Sequence, residues 1–421
     1  MVETAEVVIV GAGGGGAVLA LALAQRGIRS VVLEHAPGPP VGLRGEIIQP
    51  NGQRILDQLG VLDQLPADSL QAVRYFHFCK ARSREPLCTV DYGMLPPPYN
   101  RAIIALPNVA HRAILEALEK IAPGVVRFGA MVKRVLDNGR RTIRLEVEQE
   151  GRGTVIVTKL LVVADGAFSK VREALGLRAK VHRYRHGYLV ALLDCPDGLR
   201  EGRYFVGRGE ILGLFPVAGR QVYLFEMIRD GTVEQVRAQG VKLRQEQWIA
   251  IDPTLERTFR TLVDWRQTAY LPTVRVRLES WVADGAVLIG DAAHAMNPHA
   301  SQGRMQAMAD AMLLAELIPA WLEKGDLSAR TLREFEQRRR PQVEMLQRLA
   351  DEEVILWNTG HPLLAWLRDR VFRTIGQNPR LSYQVLQAIA GMRERPPFSL
   401  LDRMMAVGLL PDPRADRLDH A

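Results

Sequence analysis

The sequence predicts an α/β protein: a parallel-sheet layer interleaved with an antiparallel sheet and followed by a helical C-terminal region. Three observations carry that expectation. A short β-branched strand near the start of the chain runs into a glycine turn and an Ala/Leu helix. Two later apolar strands, Lys159 to Ala164 and Gly285 to Ile289, also run into turns made of an aspartate and a glycine. Segments of period two lie between these strands, and from about Ser328 the pattern becomes helical.

Val7 to Val10 form a strand suited to burial on both faces. Gly11, Ala12, Gly13, Gly14, Gly15 and Gly16 then satisfy G-x-G-x-x-G, and Ala17 to Gln25 continue as a helix stopped by Arg26 and Gly27. Each glycine has a physical task. Gly11 allows the tight turn, Gly13 lets backbone approach a diphosphate, and Gly16 lets helix and strand pack closely. An anion is expected at the helix N-terminus, where free N–H groups and the dipole favour it. A second strand, Ser30 to Leu33, leads to Glu34, which lies 18 residues past Gly16. Its carboxylate is placed to accept from a ribose diol and to repel a 2′-phosphate, so the pocket suits FAD or NAD rather than NADP.

The strand Lys159 to Ala164 ends in Asp165 and Gly166, followed by Ala167 to Arg172. The strand Gly285 to Ile289 ends in Gly290 and Asp291, then runs through His294, Pro298, His299, Ser301, Gln302 and Gly303 into a long Ala/Leu/Met helix. Ligands of open α/β sheets collect beyond the carboxyl ends of the strands. Three polar strand ends are therefore expected to face one ligand.

The set GAGGGG, ADGAFSKVR and GDAAHAMNPHASQG resembles the class A flavoprotein monooxygenases, the relatives of para-hydroxybenzoate hydroxylase. The stretch from Arg44 to Gly52 resembles the ubiquinone-biosynthesis hydroxylase and squalene monooxygenase branches in particular. The resemblance implies that Gly11, Gly13, Gly14 and Gly16 form the FAD diphosphate turn and that Glu34 binds the adenosine ribose. Arg44 would contact the flavin nucleotide, and Asp165 and Gly166 would lie near the diphosphate and the path of the nicotinamide donor. Asp291 would hold the ribityl chain, with Pro298, Gln302 and Gly303 at the flavin. The usual Gly-Gln-Gly reads Ser301-Gln302-Gly303 here, and Met305 stands where a polar residue is common. The helix near Asn108 to Leu118 lacks the usual flavin-touching Arg or Gln, leaving His111 and Arg112 as candidates.

Alternation in Val125 to Leu136, Thr142 to Val147 and Thr154 to Val163 predicts a meander ending at Asp165. Gly187 to Leu193, Ile211 to Val217 and Gln221 to Met227 predict an antiparallel sheet, with Phe205, Phe215, Tyr223 and Phe225 as candidate pocket residues. The expected organisation is a Rossmann-like FAD-binding domain (1–72, 100–180 and 281–327), an antiparallel-sheet substrate domain (73–99 and 181–280) and a helical region (328–421). In that region Leu363, Leu364, Trp366, Leu367, Val371 and Phe372 can form one apolar face, docked on the body, on a second subunit or on a membrane surface.

The formal charge of +8 does not point to nucleic acid, because the arginines are scattered among acids. Cys79, Cys88 and Cys195 lack the spacing of a disulfide framework, a zinc site or a Cys-x-x-Cys centre, so no metal is expected. Glu3 and Glu6 precede the apolar run from Val7, unlike a signal peptide, and a cytoplasmic protein is expected, with peripheral membrane contact open. A monomer or a homodimer fits equally.

The functional expectation is an FAD-dependent monooxygenase. NAD(P)H would reduce the flavin, O₂ would add to it as a hydroperoxide, and the distal oxygen would hydroxylate or epoxidise an apolar aromatic or isoprenoid-like substrate. The cofactor carries this chemistry, so few protein acids or bases are required; His294 and His299 are the candidates for proton transfer. The alternatives are a flavin reductase or dehydrogenase acting on an isoprenoid or polyene, and a non-catalytic flavin-binding redox sensor.

Overall fold

The computed structural model of the protein describes residues 2–43, 45–138 and 142–418. The strand Val2–Val10 lies at the middle of the first sheet, paired in parallel with Ser30–Glu34 on one side and Arg152–Val163 on the other. Val126–Phe128 and Ala286–Leu288 extend the parallel run outwards, and the hairpin Ala130–Asn138 and Ile143–Gln149 folds onto the long Arg152 strand. Val7, Val8 and Ile9 are wholly buried at the centre of this sheet. The segment from Val126 thus joins the parallel sheet before the meander begins.

The helix Gly14–Ala24 has no polar face, and every residue from Ala17 to Leu23 is wholly buried. It is wedged between the sheet and the 22-residue helix Gly303–Lys324. Its glycines make that possible. A Cβ at Gly15 would come within 3.2 Å of the Ala307 carbonyl oxygen, and one at Gly16 would overlap the Gly11 carbonyl oxygen.

The second sheet has seven strands, in the order Thr268–Leu271, His186–Asp194, Gln221–Arg229, Ile211–Val217, Gly202–Val206, Tyr75–Lys80 and Pro86–Asp91. One face packs on Trp248 and Phe259; the other carries an aromatic cluster that includes Phe76, Phe78, Tyr188 and Tyr204. The 29-residue helix Ala329–Trp357 closes over that cluster, and Trp357 packs edge-on against Phe78 at 5.3 Å.

The helix Pro362–Gly376 corrects one expectation. Its buried face is Ala365, Arg368, Asp369 and Phe372, with Arg368 and Asp369 ion-paired at 2.6 Å, whereas Leu363 and Trp366 are 63% and 55% exposed. The apolar residues are split between two faces because the buried ion pair occupies the inward one. Among the described residues no helix is long and apolar enough to cross a membrane.

Gly16→Ala is expected to destabilise the protein by about 1–3 kcal/mol, since the overlap is with rigid backbone and the helix must move off its strand. Thermal denaturation should register a fall in Tm of several degrees.

Candidate active site

The chain leaves its first strand at Gly11, whose φ is +99°. A Cβ there would approach the Ala164 carbonyl oxygen to 2.5 Å, so the turn is available to glycine alone. Gly13 caps the next helix without any side-chain bond, leaving the first-turn N–H groups directed outwards. Glu34 closes the far side of the loop: its carboxylate accepts from the backbone N–H of Ala12 at 2.7 Å and of Ala36 at 2.9 Å. His111 is buried beside Ala12, and burial, aided by the Arg304 charge, pushes its imidazole down to about 4. Arg112, one residue on, is exposed.

Asp165 ends the long parallel strand. Burial pushes its carboxyl above the usual range, and its Oδ1 is buried with no partner among the described residues. Asp291 opens the short helix Asp291–His294 just after Gly290, whose φ is +57°. Asp291 thus brings a carboxylate to the place where the Gly14 helix begins, whereas Asp165 does not line the cavity and turns towards Ser169 and the backbone of Val171. A single cavity of about 670 Å³ is lined there by Gly13, Gly14, Gly166, Asp291, Pro298 and Gly303. Arg44 lies outside the described residues.

A buried polar network fixes the Asp291–Gly303 loop. Asp310, wholly buried in the Gly303 helix, accepts the Gly290 N–H at 2.9 Å and pairs with His294 Nε2 at 2.6 Å and Arg339 Nε at 2.7 Å. Burial works against the Asp310 charge, but His294 and Arg339 together hold its carboxyl below the usual range. Arg339 continues to Gln306 at 2.6 Å, and Gln306 donates to Gln302 Oε1 at 2.9 Å. Asn51 donates to the same oxygen at 3.0 Å, and Gln302 Nε2 donates to the Ile389 carbonyl at 2.6 Å. Gln302 thus turns its side chain into the network and leaves its neighbours Ser301 and Gly303 at the cavity. His294 is likewise corrected: it is an ion-pair partner of Asp310, turned away from the cavity wall, and not a group facing a substrate. Ser301 takes the left-handed conformation, φ +51°, at the place where the resembled motif has glycine.

The other end of the same cavity is aromatic. Tyr188, Tyr204, Phe215, Tyr223 and Phe225 line it, with ring centroids 5.1 Å apart for Phe215 and Phe225 and 5.2 Å for Tyr204 and Phe215. Phe205 is corrected here. Successive strand residues point to opposite faces, so Phe205 packs beneath the sheet with Leu212 and Trp248 while Tyr204 faces the cavity. His299 supplies a polar group to this wall. Its Nε2 lies 2.9 Å from Asn358 Oδ1 and 3.2 Å from the Tyr188 hydroxyl, and burial pushes its imidazole down to about 4. A family model described as FAD binding domain matches residues 4–350.

The chain belongs to the FAD-binding class A monooxygenases. It is 28% identical to 6-methylpretetramide 4-monooxygenase of Streptomyces rimosus, the alignment covering 91% of this chain and 92% of that one. It is 24% identical to squalene monooxygenase 1,1 of Brassica napus, over 96% of this chain and 81% of that one. The p-nitrophenol 4-monooxygenase structure from Pseudomonas putida DLL-E4 shares the fold, with a TM-score of 0.81, 21% identity and coverage of 93% and 99%. The cofactor of this monooxygenase is FAD, with NAD(P)H the typical reductant of its class, and it acts on a small molecule and O₂. Its residues fit the flavin nucleotide on their own terms: an uncapped helix N-terminus, a glycine turn that opens onto the cavity at Gly13 and Gly14, and the Asp291 carboxylate facing the same space.

Sequence reasoning passed over Tyr188, Tyr204, Asp310, Arg339 and Glu353. Asp310 carried a signal, as a lone acid in the apolar run Met308 to Leu314. Glu353, on the inner side of the Ala329 helix, has a buried Oε2 without a partner among the described residues, and burial pushes its carboxyl up to about 8. The unfolded chain gains ionisation of this group from the ordinary Glu range upward, while the folded protein withholds it until about pH 8. Stability therefore falls between those limits. Glu353→Gln is expected to raise Tm by several degrees at pH 8 and by little at pH 4, as thermal melts across that range would reveal.

Proposed function

We propose that the monooxygenase inserts one oxygen atom into an electron-rich, largely apolar aromatic substrate that carries a hydroxyl or carbonyl group. The observation that carries the proposal is the continuity of the cavity, which runs from the glycine turn and Asp291 to the aromatic wall of Tyr188, Tyr204, Phe215, Tyr223 and Phe225. In this reading the FAD diphosphate rests on the first turn of the Gly14 helix, its adenosine ribose on Glu34 and its ribityl chain on Asp291. When bound, the flavin supplies reduction by NAD(P)H and activation of O₂. The N-terminus of the Gly303 helix favours the negative charge of the reduced ring by about 0.3–1 kcal/mol.

The remaining tasks fall to the protein. The aromatic wall excludes water and presents flat faces to a ring. Tyr188 and His299 hold the polar substituent. With Asn358 Oδ1 accepting from Nε2, the neutral His299 presents Nδ1 as an acceptor, 3.5 Å from the Tyr188 hydroxyl, which a substrate hydroxyl would join or replace. The tautomer is assigned from that bond. The relation to 6-methylpretetramide 4-monooxygenase over most of both chains supports a polycyclic or phenolic substrate. A second reading, epoxidation of an isoprenoid double bond, is supported by the squalene monooxygenase relative and by the apolar rings of Phe215 and Phe225 in the wall.

Turnover of candidate phenols and isoprenoids under ¹⁸O₂ with NAD(P)H tests both. One labelled oxygen in a phenolic product supports the first reading, and label in an epoxide supports the second. Substrate-stimulated NAD(P)H oxidation that leaves the product unlabelled would contradict both. Tyr188→Phe should raise KM for a hydroxylated substrate roughly two- to tenfold, the value of one neutral hydrogen bond.

A further inference from the structure

One row of residues crosses the second sheet beneath the aromatic end of the cavity. The strand registers set Val190 beside Phe225, Phe225 beside Gly213, Gly213 beside Tyr204 and Tyr204 beside Phe78. Residues paired in this way share a face of the sheet, and Val190, Phe225 and Tyr204 all line the cavity. Gly213 alone in the row has no side chain, and Phe225 fills the gap. A Cβ at Gly213 would stand 1.9 Å from Cε1 and 2.0 Å from Cζ of the Phe225 ring. Phe225 and Tyr204 stand on strands separated by the Gly213 strand, roughly 9–10 Å apart at the usual spacing. Their ring centroids are nevertheless only 5.6 Å apart. The Phe225 ring thus lies down over the glycine, an arrangement that shields exposed strand backbone. Tyr223, two residues earlier on the same strand, does the same at Gly45, where a Cβ would come 2.6 Å from its ring.

The Phe225 ring has little freedom to move sideways. Tyr188 and Phe215 stand 5.7 and 5.1 Å from it, Val190 holds its other flank, and the side left open on this half-buried residue is the cavity. A side chain at Gly213 would therefore lift the ring into the space where a substrate lies. We propose that Gly213 is a specificity-determining residue: by letting Phe225 lie flat it gives the wall the depth for a substrate of two or more fused rings, and a larger residue there restricts the site to a single ring. This rests on the aromatic-substrate reading above and names the size class that the reading leaves open. Ring number is read over Phe225, beside the Tyr188 and His299 groups that hold the polar substituent.

Dissociation constants of phenol, 2-naphthol and 2-hydroxyanthracene for the oxidised, FAD-loaded protein test this, read without turnover from the change each makes in the flavin absorbance. In the wild-type protein each added ring should tighten binding roughly five- to tenfold, through the apolar area it removes from water. Gly213→Ala should bind phenol within about twofold of the wild type and lose about tenfold or more for 2-hydroxyanthracene. Gly213→Ala/Phe225→Leu, which removes the ring that the methyl group displaces, should return to the wild-type gradient, and it carries the test if the single variant does not fold. A wild-type protein that gains nothing from the added rings overturns the proposal. So does a folded Gly213→Ala that weakens all three phenols alike or none of them, and so does a double variant without the gradient. Failure of all three phenols to perturb the wild-type flavin overturns instead the aromatic-substrate reading beneath it.

Discussion

The buried carboxylate of Asp310 is the constraint on which the cofactor end of the structure depends. It ties both ends of one short loop, the Gly290 turn and the His294 end of the short helix, to Arg339 on the distant Ala329 helix. A charge placed in so apolar a helix is tolerable only when fully paired, because an uncompensated buried ion costs several kcal/mol. That requirement gives the loop one arrangement. Gly290 must aim its N–H inwards, His294 must follow it, and Asp291 between them must face the cavity. The branch through Arg339, Gln306, Gln302 and Asn51 does the same for the start of the Gly303 helix.

The substrate end is built on different physics. Strand alternation and ring packing organise it. Tyr204 stacks on Phe78 at 4.4 Å and meets Phe215 and Phe225 edge-on, and Trp357 closes the cluster from the helical region. The Ala329 helix belongs to both ends, since Arg339 serves the cofactor loop while Glu353, Trp357 and Asn358 stand behind the aromatic wall. A disturbance of that helix would reach the flavin and the substrate together.

What could be read in the sequence was whatever depends on neighbours along the chain. The glycine turn, Glu34, Asp165 and Asp291 are each fixed by a strand end, and strand ends show as short apolar runs closed by a polar residue. The aromatic strands were legible as strands. Their register was not, because a one-residue slip exchanges the faces, and so Phe205 was taken where Tyr204 belongs. The roles of His294 and Gln302 could not be read either, for their partners Asp310, Arg339 and Asn51 come together only in the fold. The helix Pro362–Gly376 misled for a related reason: its apolar residues suggested one face until the Arg368–Asp369 pair claimed the interior.

The most direct measurement is FAD affinity, by calorimetric titration, of folded Asp310→Asn beside the wild-type protein. This change keeps the shape of the side chain and removes the charge, leaving His294 and Arg339 without their counter-ion. If the carboxylate sets the loop, affinity should fall at least about tenfold, because Asp291 and the Gly303 N-terminus lose their positions for the cofactor. The melting temperature should fall with it. Unchanged FAD affinity and an unchanged melting temperature would contradict the account, and would mean that the loop holds its place without the buried charge.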